Sequence, residues 1–246
     1  MMGRRARIRY ALSSPARYST VNQQSQNATL QTPDVPEPGR LRAVIFDYGG
    51  VLTYLPTNED WHKMAGIAGV ELSNLLEAYW LHRYPYEVGR YDSAMYWELV
   101  GRDCGVQLNG EVVGDLITQD NEQWGRKNPD AVELARQLRC AGVRTALLSN
   151  MQPDMLAFVR VRHPWLQEFD PRVISCEVAE AKPEPAIFKL AAELLQLSPR
   201  ECLFVDDREA NVEGARRVGM RAMHFESAEA LAQLSELLIR LRVQLG

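Results

Sequence analysis

Short apolar runs alternate with helical patterns along most of this chain. Residues Ala43 to Phe46 form an apolar run with β-branched members that ends at Asp47 and the Gly49-Gly50 pair, which predicts a buried strand leading into a tight loop. Three later runs also predict strands, at Val143 to Leu148, Cys202 to Val205 and Arg221 to Phe225. Helices are predicted at Pro129 to Cys140, Pro183 to Leu195, Ala210 to Val218 and Ala228 to Leu241. This alternation of apolar strands with helices predicts an α/β fold whose parallel sheet is covered on both faces.

Residues 57–125, between the first two predicted strands, have a helical pattern instead of an alternating one. Apolar and aromatic residues recur there at spacings of three and four, as at Leu72, Leu75 and Tyr79. Asn58 and Asp92 are candidate N-cap residues. We therefore predict a helical cap over 57–125, inserted into a core domain made of 41–56 and 126–246.

The first 40 residues differ in composition from the rest. Residues 1–33 contain five arginines and no acidic residue, and are rich in Ser, Thr, Asn and Gln. Prolines at 33, 36 and 38 then indicate a linker. Three interpretations stay open for 1–40: a targeting peptide, which is typically Arg-rich and acid-poor, a disordered extension, or a start codon placed too early.

The amino-acid composition excludes several classes of protein. The 246 residues are 46% apolar and 24% charged, with a net charge of −4, which is typical of a globular domain and gives no support for nucleic-acid binding. Apolar runs are too short for a membrane span. The four cysteines are far apart, so they predict neither a zinc site nor a disulfide framework. We expect a cytoplasmic monomer or homodimer without a nucleic-acid or membrane partner.

The residues that follow each predicted strand are polar. Asp47 follows the first strand, Ser149-Asn150 the second, and Asp206-Asp207 the strand that begins at Cys202, while Lys182 precedes a helix at the same edge. Ligands of open parallel sheets bind at this edge. Three carboxylates that converge there would repel each other without a cation, and their oxygen atoms suit Mg²⁺. The lysine and the serine hydroxyl would complement phosphate oxygens.

Four segments resemble the haloacid dehalogenase superfamily, in the order that this family shows. They are AVIFDYGGVLT at 43–53, ALLSN at 146–150, AKPEPAIF at 181–188 and CLFVDDREANVEGARRVGM at 202–220. The resemblance implies a Rossmann-like, doubly wound core with a small α-helical cap. It also implies a Mg²⁺-dependent hydrolase that acts on a small phosphorylated substrate.

The resemblance also implies a role for each residue. Asp47 would be the nucleophile that forms an aspartyl phosphate, and Lys182 would neutralise charge on it and on the transferred group. Mg²⁺ would be held by Asp47, the carbonyl of Gly49 and Asp206, with Asp207 binding or orienting the ion. Phosphoryl oxygens would be bound by Ser149, the amide of Asn150 and Lys182, with Tyr48 and Gly49 lining the phosphate site. Asn211 is expected to order the last motif or to cap the next helix.

One position departs from the pattern of the family's phosphatases. They usually carry a second Asp two residues after the nucleophile, as general acid and base, where this chain has Gly49. Such a group typically contributes about 10²–10⁴-fold in rate. The first interpretation is a phosphatase for substrates whose leaving group departs easily, such as an anomeric sugar phosphate. A dehalogenase is disfavoured by Asp206-Asp207 and by Phe188, where dehalogenases have Tyr. A third interpretation is a regulatory module that binds phosphate with little turnover.

Substrate identity is expected to depend on the aromatic cap. Arg83 or Arg90 could reach a phosphate or a carboxylate, although most of the cap's rings are expected to form its own core. The cap histidines His62 and His82 are expected to be exposed or to pack, and they are the first alternatives as proton donors.

Overall fold

Five parallel strands form the sheet of the computed structural model, which describes residues 41–226 and 230–236. The strand order is β3-β2-β1-β4-β5, with every neighbouring pair parallel. The strands are β1 (Ala43–Phe46), β2 (Arg144–Ser149), β3 (Arg172–Ile174), β4 (Cys202–Asp206) and β5 (Arg221–His224). Chain order reverses direction at the central strand β1, because β2 and β3 lie on one side of it and β4 and β5 on the other. This doubly wound parallel sheet confirms the predicted fold class.

Ten α-helices lie between the first and the last strand in the described part of the chain, and a further helical segment follows the last strand. They are α1 (Asn58–Ala68), α2 (Leu72–Leu81), α3 (Arg83–Glu87), α4 (Ser93–Asp103), α5 (Gly110–Trp124), α6 (Pro129–Cys140), α7 (Pro153–Arg162), α8 (Ser175–Val178), α9 (Pro185–Leu195) and α10 (Glu209–Arg217). Short 3₁₀ helices lie at Pro164–Glu168 and Pro199–Glu201. The helix predicted from Pro183 begins at Pro185, a residue that suits a first helical turn because it has no N–H to satisfy. The sequence analysis missed α7 and β3.

The two faces of the sheet pack against different sets of helices. Val44 and Phe46 point into one apolar cluster, which also contains Leu134 and Leu138 of α6. Ala43 and Ile45 point into the other, which contains Ile187 and Phe188 of α9 and other residues. Because successive side chains of a strand alternate between faces, a strand covered on both sides must be apolar throughout. This explains the uninterrupted apolar run of β1.

The helices α1 to α5 share an apolar cluster of their own. It contains Tyr79, Tyr96 and Trp97, all completely buried. Thr57 caps α1, because its hydroxyl accepts a hydrogen bond from the backbone N–H of Asp60, so the prediction of Asn58 as N-cap is wrong. Asp92 caps α4 as predicted. The division of the chain into a core domain and a cap over 57–125 stays a prediction.

Several predicted features lie partly or wholly outside the described residues. The tail and linker over 1–40 are among them, as are residues 228, 229 and 237–241 of the last predicted helix. Residues 230–236 are helical. Within the described part of the chain, no helix is both long and apolar enough to cross a membrane.

Candidate active site

The carboxyl ends of β1 and β4 bring two aspartates to the same level of the sheet. Phe46 is in register with Val205, and Asp47 and Asp206 follow directly. The backbone N–H of Asp47 donates to the carbonyl of Val205 at 2.9 Å, which extends the ladder by one bond. Both side chains are buried, with Asp206 wholly inaccessible. The strand pairing itself therefore places the two carboxylates side by side.

Lys182 bridges these two carboxylates from the loop before α9. Its Nζ lies 2.8 Å from Asp47 Oδ1 and 2.6 Å from Asp206 Oδ2, and the residue is 2% exposed. Burial alone would lower the pKa of Lys182, but the charges of Asp206 and Asp47 outweigh burial and raise it. Lys182 is therefore a fixed cation at the sheet edge.

A third carboxylate, Asp207, completes the cluster. Oxygen atoms of Asp47, Asp206 and Asp207 lie within 4.8 Å of one another. Burial, and then the neighbouring charge of Asp206, raises the pKa of Asp207 to about 6. Burial likewise raises the pKa of Asp47, against the opposing effect of Lys182. Three carboxylates face one ammonium, so an all-oxygen donor set with excess negative charge is available, which fits a hard divalent cation.

Residues of the segment after β4 hold the side chain of Asp206, and a glycine of the loop after β1 leaves room for Asp207. Asp206 Oδ1 accepts from the backbone N–H of Arg208 at 2.8 Å, and the Asn211 side-chain amide donates to both oxygens of Asp206 at 2.9 and 3.1 Å. This confirms the expectation that Asn211 orders the motif. Gly50 has a φ of +75°, and a Cβ there would lie 2.5 Å from Asp207 Cγ. The second glycine of the Gly49-Gly50 pair thus makes room for Asp207.

Ser149 and Asn150 lie at the end of β2, and their side chains have different surroundings. Ser149 is buried as the last residue of the strand. The side chain of Asn150 points to the loop of Lys182 instead: Oδ1 accepts from Lys182 N at 2.8 Å, and Nδ2 donates to Lys182 O at 2.9 Å. The sequence analysis missed this positioning contact. Phosphate binding by Ser149 and by the backbone amide of Asn150 stays a prediction.

Tyr48 and Gly49 directly follow Asp47 in the loop after β1. The backbone N–H of Tyr48 donates to Asp47 Oδ1 at 2.6 Å. Its ring is buried in the core, where the hydroxyl hydrogen-bonds His163 Nδ1 at 2.9 Å, so only the backbone of Tyr48 lies at the site. Gly49, unlike Gly50, does not have a positive φ, so its backbone conformation does not itself require a glycine. A Cβ at Gly49 would lie 3.3 Å from the indole ring of Trp124.

Arg83 is wholly committed to a buried network. Its Nε donates to Glu87 at 3.0 Å, Nη1 to Asp120 at 3.0 Å and Nη2 to Gln152 at 2.8 Å. The expectation that Arg83 could bind a substrate anion is therefore not supported, because each of its nitrogens already has an internal acceptor. Gln152 also donates to Asp120, at 3.0 Å, so the network joins α3 and α5 to the loop after β2.

Glu87 places this network within electrostatic reach of the carboxylate cluster. Burial raises the pKa of Glu87, while the positive charges of Arg83, Arg208 and Lys182 oppose the rise. The sequence analysis missed both Glu87 and Gln152. A run of polar residues, Gln119 to Asn121, on an otherwise amphipathic helix was a signal only for Asp120, which bonds both Arg83 and Gln152.

His62 and His82 each have a hydrogen-bond partner within residues 57–125. His62 Nδ1 lies 2.7 Å from the carbonyl of Asn58, one turn earlier in the chain. His82 Nε2 lies 2.7 Å from Asp103 Oδ2. Neither contact involves Asp47, Asp206 or Lys182.

Comparison with known proteins identifies the family. The chain is 27% identical over 186 residues to Phosphatase MT3486 of Mycobacterium tuberculosis (strain CDC 1551 / Oshkosh), covering 74% of this chain and 86% of the relative. It is 26% identical over 228 residues to (S)-2-haloacid dehalogenase 1 of Pseudomonas sp. (strain CBS-3), covering 82% and 98%.

A solved structure shares the fold. The HAD family enzyme BT-2542 of Bacteroides thetaiotaomicron, in complex with magnesium and inorganic phosphate, superimposes with a TM-score of 0.62 at 23% identity, covering 75% of this chain and 93% of that one. The family model for haloacid dehalogenase-like hydrolases matches residues 41–219. The chain therefore belongs to the haloacid dehalogenase-like hydrolases.

Proposed function

We propose that this hydrolase is a Mg²⁺-dependent phosphomonoester phosphatase that acts on a small phosphorylated metabolite through an aspartyl-phosphate intermediate. One observation carries the proposal: Lys182 lies within hydrogen-bond distance of both Asp47 and Asp206, with Asp207 in the same cluster. Phosphoryl transfer requires mainly alignment and charge stabilisation, which such a set supplies. The M. tuberculosis relative is a phosphatase, and the B. thetaiotaomicron enzyme binds magnesium with phosphate.

Each residue of the site has a defined task in this proposal. Asp47, Asp206, the carbonyl of Gly49 and Asp207 would hold Mg²⁺, which supplies positive charge that lets an anionic nucleophile meet an anionic phosphate. The Asp47 carboxylate forms the bond to phosphorus as the bond to the leaving oxygen breaks. Lys182 neutralises Asp47 and the transferred group, while Ser149 and the Asn150 amide bind phosphoryl oxygens. The cap over 57–125 would cover the site and exclude bulk water, while a single water molecule hydrolyses the aspartyl phosphate to release phosphate and restore Asp47.

A dehalogenase is the competing candidate, because dehalogenases are among the relatives. Two observations disfavour it. Position 188 is Phe, which has no hydroxyl. Its ring is completely buried in the core, with its centroid 5.3 Å from that of Phe204. Asp206 and Asp207 supply two acids where a metal-free reaction would need no such excess negative charge. A regulatory phosphate-binding module with little turnover would share the same pocket, and only a rate measurement separates it from an enzyme.

The test is a screen of phosphomonoesters with and without Mg²⁺, run beside 2-chloropropionate as the dehalogenase substrate. We expect phosphate release that requires Mg²⁺ and is lost in Asp47→Asn, because the amide is a poor nucleophile. Chloride release without Mg²⁺ would replace the proposal by the dehalogenase. Phosphate binding without turnover of any substrate would favour the regulatory module.

A further inference from the structure

The indole ring of Trp124 lies against the position that a Cβ at residue 49 would take. A Cβ built on Gly49 would lie 3.3 Å from both Cε3 and Cζ3 of Trp124. Gly49 is two residues after Asp47, on the loop that carries the proposed nucleophile. Trp124, the last residue of α5, is half-buried. The ring edge therefore lies directly against this loop.

Trp124 belongs to a group of three tryptophans from three helices. Trp61 of α1, Trp80 of α2 and Trp124 form the tryptophan cluster, whose ring centroids lie 6.3 to 6.5 Å apart. All three are half-buried, unlike the completely buried Trp97. A part of each of these three residues is therefore accessible to solvent.

Tyr79 fixes the orientation of the cluster. Its hydroxyl accepts from Trp124 Nε1 at 3.1 Å and donates to Asp120 at 2.7 Å. Its ring makes edge contacts with Trp61 and Trp80, with centroids 5.1 and 5.0 Å away. The indole N–H of Trp124 is therefore satisfied inside the protein, and the ring is held without help from a ligand.

The arginines around the cluster are already neutralised. Arg126, two residues after Trp124, pairs with Asp60 of α1 at 2.7 Å. Arg83, which lies over the ring of Tyr79 at 4.7 Å, pairs with Glu87 and Asp120. An anionic group placed against the tryptophans would lose its hydration and gain neither of these cations as a partner. The surface is suited to uncharged groups.

We propose that the tryptophan cluster forms the wall against which the substrate's leaving group lies, and that this group is uncharged and presents a flat apolar face, as a sugar ring or an aromatic ring does. The inference rests on the proposed phosphatase function and specifies its substrate class. Flat C–H and aromatic faces both pack well on indole rings. Contact with Trp124 beside Gly49 sets the orientation of the leaving oxygen.

The experiment compares kcat/KM for phenyl phosphate, glucose 1-phosphate and 4-carboxyphenyl phosphate, each divided by the value for acetyl phosphate, whose leaving group is small. In the wild type we expect the neutral phenyl group to be preferred over its carboxylated analogue. Trp124→Leu should lower the phenyl or the glucose ratio about 10-fold, and Trp124→Phe by much less, because it keeps a ring. The larger loss tells whether the aryl or the sugar face is used.

Two further variants distinguish loss of the wall from loss of folding. Trp80→Leu tests the wall if Trp124→Leu does not fold. Leu81→Ala, at an exposed residue that follows Trp80 in α2, should leave all ratios unchanged. Equal ratios in wild type, Trp124→Leu and Trp80→Leu, or a preference for the carboxylated substrate, would overturn the wall while leaving phosphatase activity intact. Absence of any phosphate release by the wild type, in the presence of Mg²⁺, would overturn the proposed function and the wall together.

Discussion

The side chain of Asn150 binds the backbone of Lys182 on both its N–H and its carbonyl. The two hydrogen bonds, of 2.8 and 2.9 Å, connect the residue after β2 to the loop before α9. Because Lys182 in turn touches Asp47 and Asp206, the position of its ammonium group depends on a residue from a third strand. The site is thus assembled from the ends of β1, β2 and β4.

The first prediction follows from this pair. Asn150→Ala removes both bonds and should lower kcat about 10- to 100-fold, because a small displacement of a charge-stabilising group is costly. In a double-mutant cycle with Lys182→Met, the two losses should be far from additive, since both act through the same ammonium. Steady-state kinetics of the four proteins provide the measurement. Additive effects would mean that Asn150 acts independently of Lys182.

The second prediction concerns the cation. Asp206→Asn keeps the size of the side chain and an oxygen for the N–H of Arg208, but removes one charge from the cluster. Calorimetric titration with Mg²⁺ should lose its binding signal in this variant at a temperature where circular dichroism shows that it is folded. Asp130→Asn, an exposed acid at the start of α6, is the control and should bind as the wild type does. An unchanged Mg²⁺ affinity in Asp206→Asn would remove the metal assignment.

Most strands, and the polar residues that follow them, could be predicted from the sequence because each depends on a short local pattern. The apolar run from Ala43 to Phe46 and the acids after it depend only on neighbouring residues. The short strand β3 could not be found in this way, since its three residues are too few for a periodic pattern. Its position follows from pairing with Leu147 to Ser149, a long-range contact.

The functions of single side chains were harder to predict than their positions. The sequence analysis predicts that Arg83 could reach a phosphate or a carboxylate of the substrate. Of its three partners, Glu87 is only four residues away, but Asp120 and Gln152 lie 37 and 69 residues away along the chain, so the sequence around Arg83 does not reveal them. The same holds for Trp124 beside Gly49, where the sequence showed a missing acid but not the ring that lies against its position.

The third prediction tests the buried network. Arg83→Met leaves the carboxylates of Glu87 and Asp120 without their cation, and should lower the free energy of unfolding by about 3–5 kcal/mol. Arg90→Met is the matched control: Arg90 is exposed and lies over the ring of Tyr84 at 5.8 Å, so its loss should cost no more than about 1 kcal/mol. Urea unfolding measures both. Equal stability of the two variants would contradict the network's structural role.

The fourth prediction is a pH dependence that arises from His163. Burial, and then the charge of Arg162, lowers the pKa of His163 below its usual value of 6.5. The unfolded chain therefore binds a proton at His163 more readily than the folded chain, so stability is retained above about pH 6.5 and lost as the pH falls below it. His163→Gln, which keeps a polar partner for the Tyr48 hydroxyl, should reduce this loss. Urea midpoints between pH 7 and 5 test it, and identical slopes for both proteins would contradict it.

The fifth prediction concerns the proton that Gly49 does not supply. If no group protonates the leaving oxygen, the rate of aspartyl-phosphate formation should fall steeply as the pKa of the leaving group rises. Single-turnover rates for a series of aryl phosphates with graded leaving-group pKa provide the measurement. The second step lacks its usual base as well, so rapid-quench experiments should show a burst. A flat dependence without a burst would mean that another group donates the proton.

The same prediction extends to restoring the acid. Gly49→Asp alone should gain little, because its Cβ would press on the ring of Trp124 at 3.3 Å, and the hydrogen bond to Tyr79 together with Trp61 and Trp80 holds that ring in place. Gly49→Asp combined with Trp124→Leu opens the space, and should flatten the leaving-group dependence by raising rates mainly for poor leaving groups. Trp124→Leu alone is the control, since it opens the space without adding an acid and should leave the dependence steep. If Gly49→Asp flattens the dependence as fully by itself as in the double variant, Trp124 does not restrict the side chain at position 49.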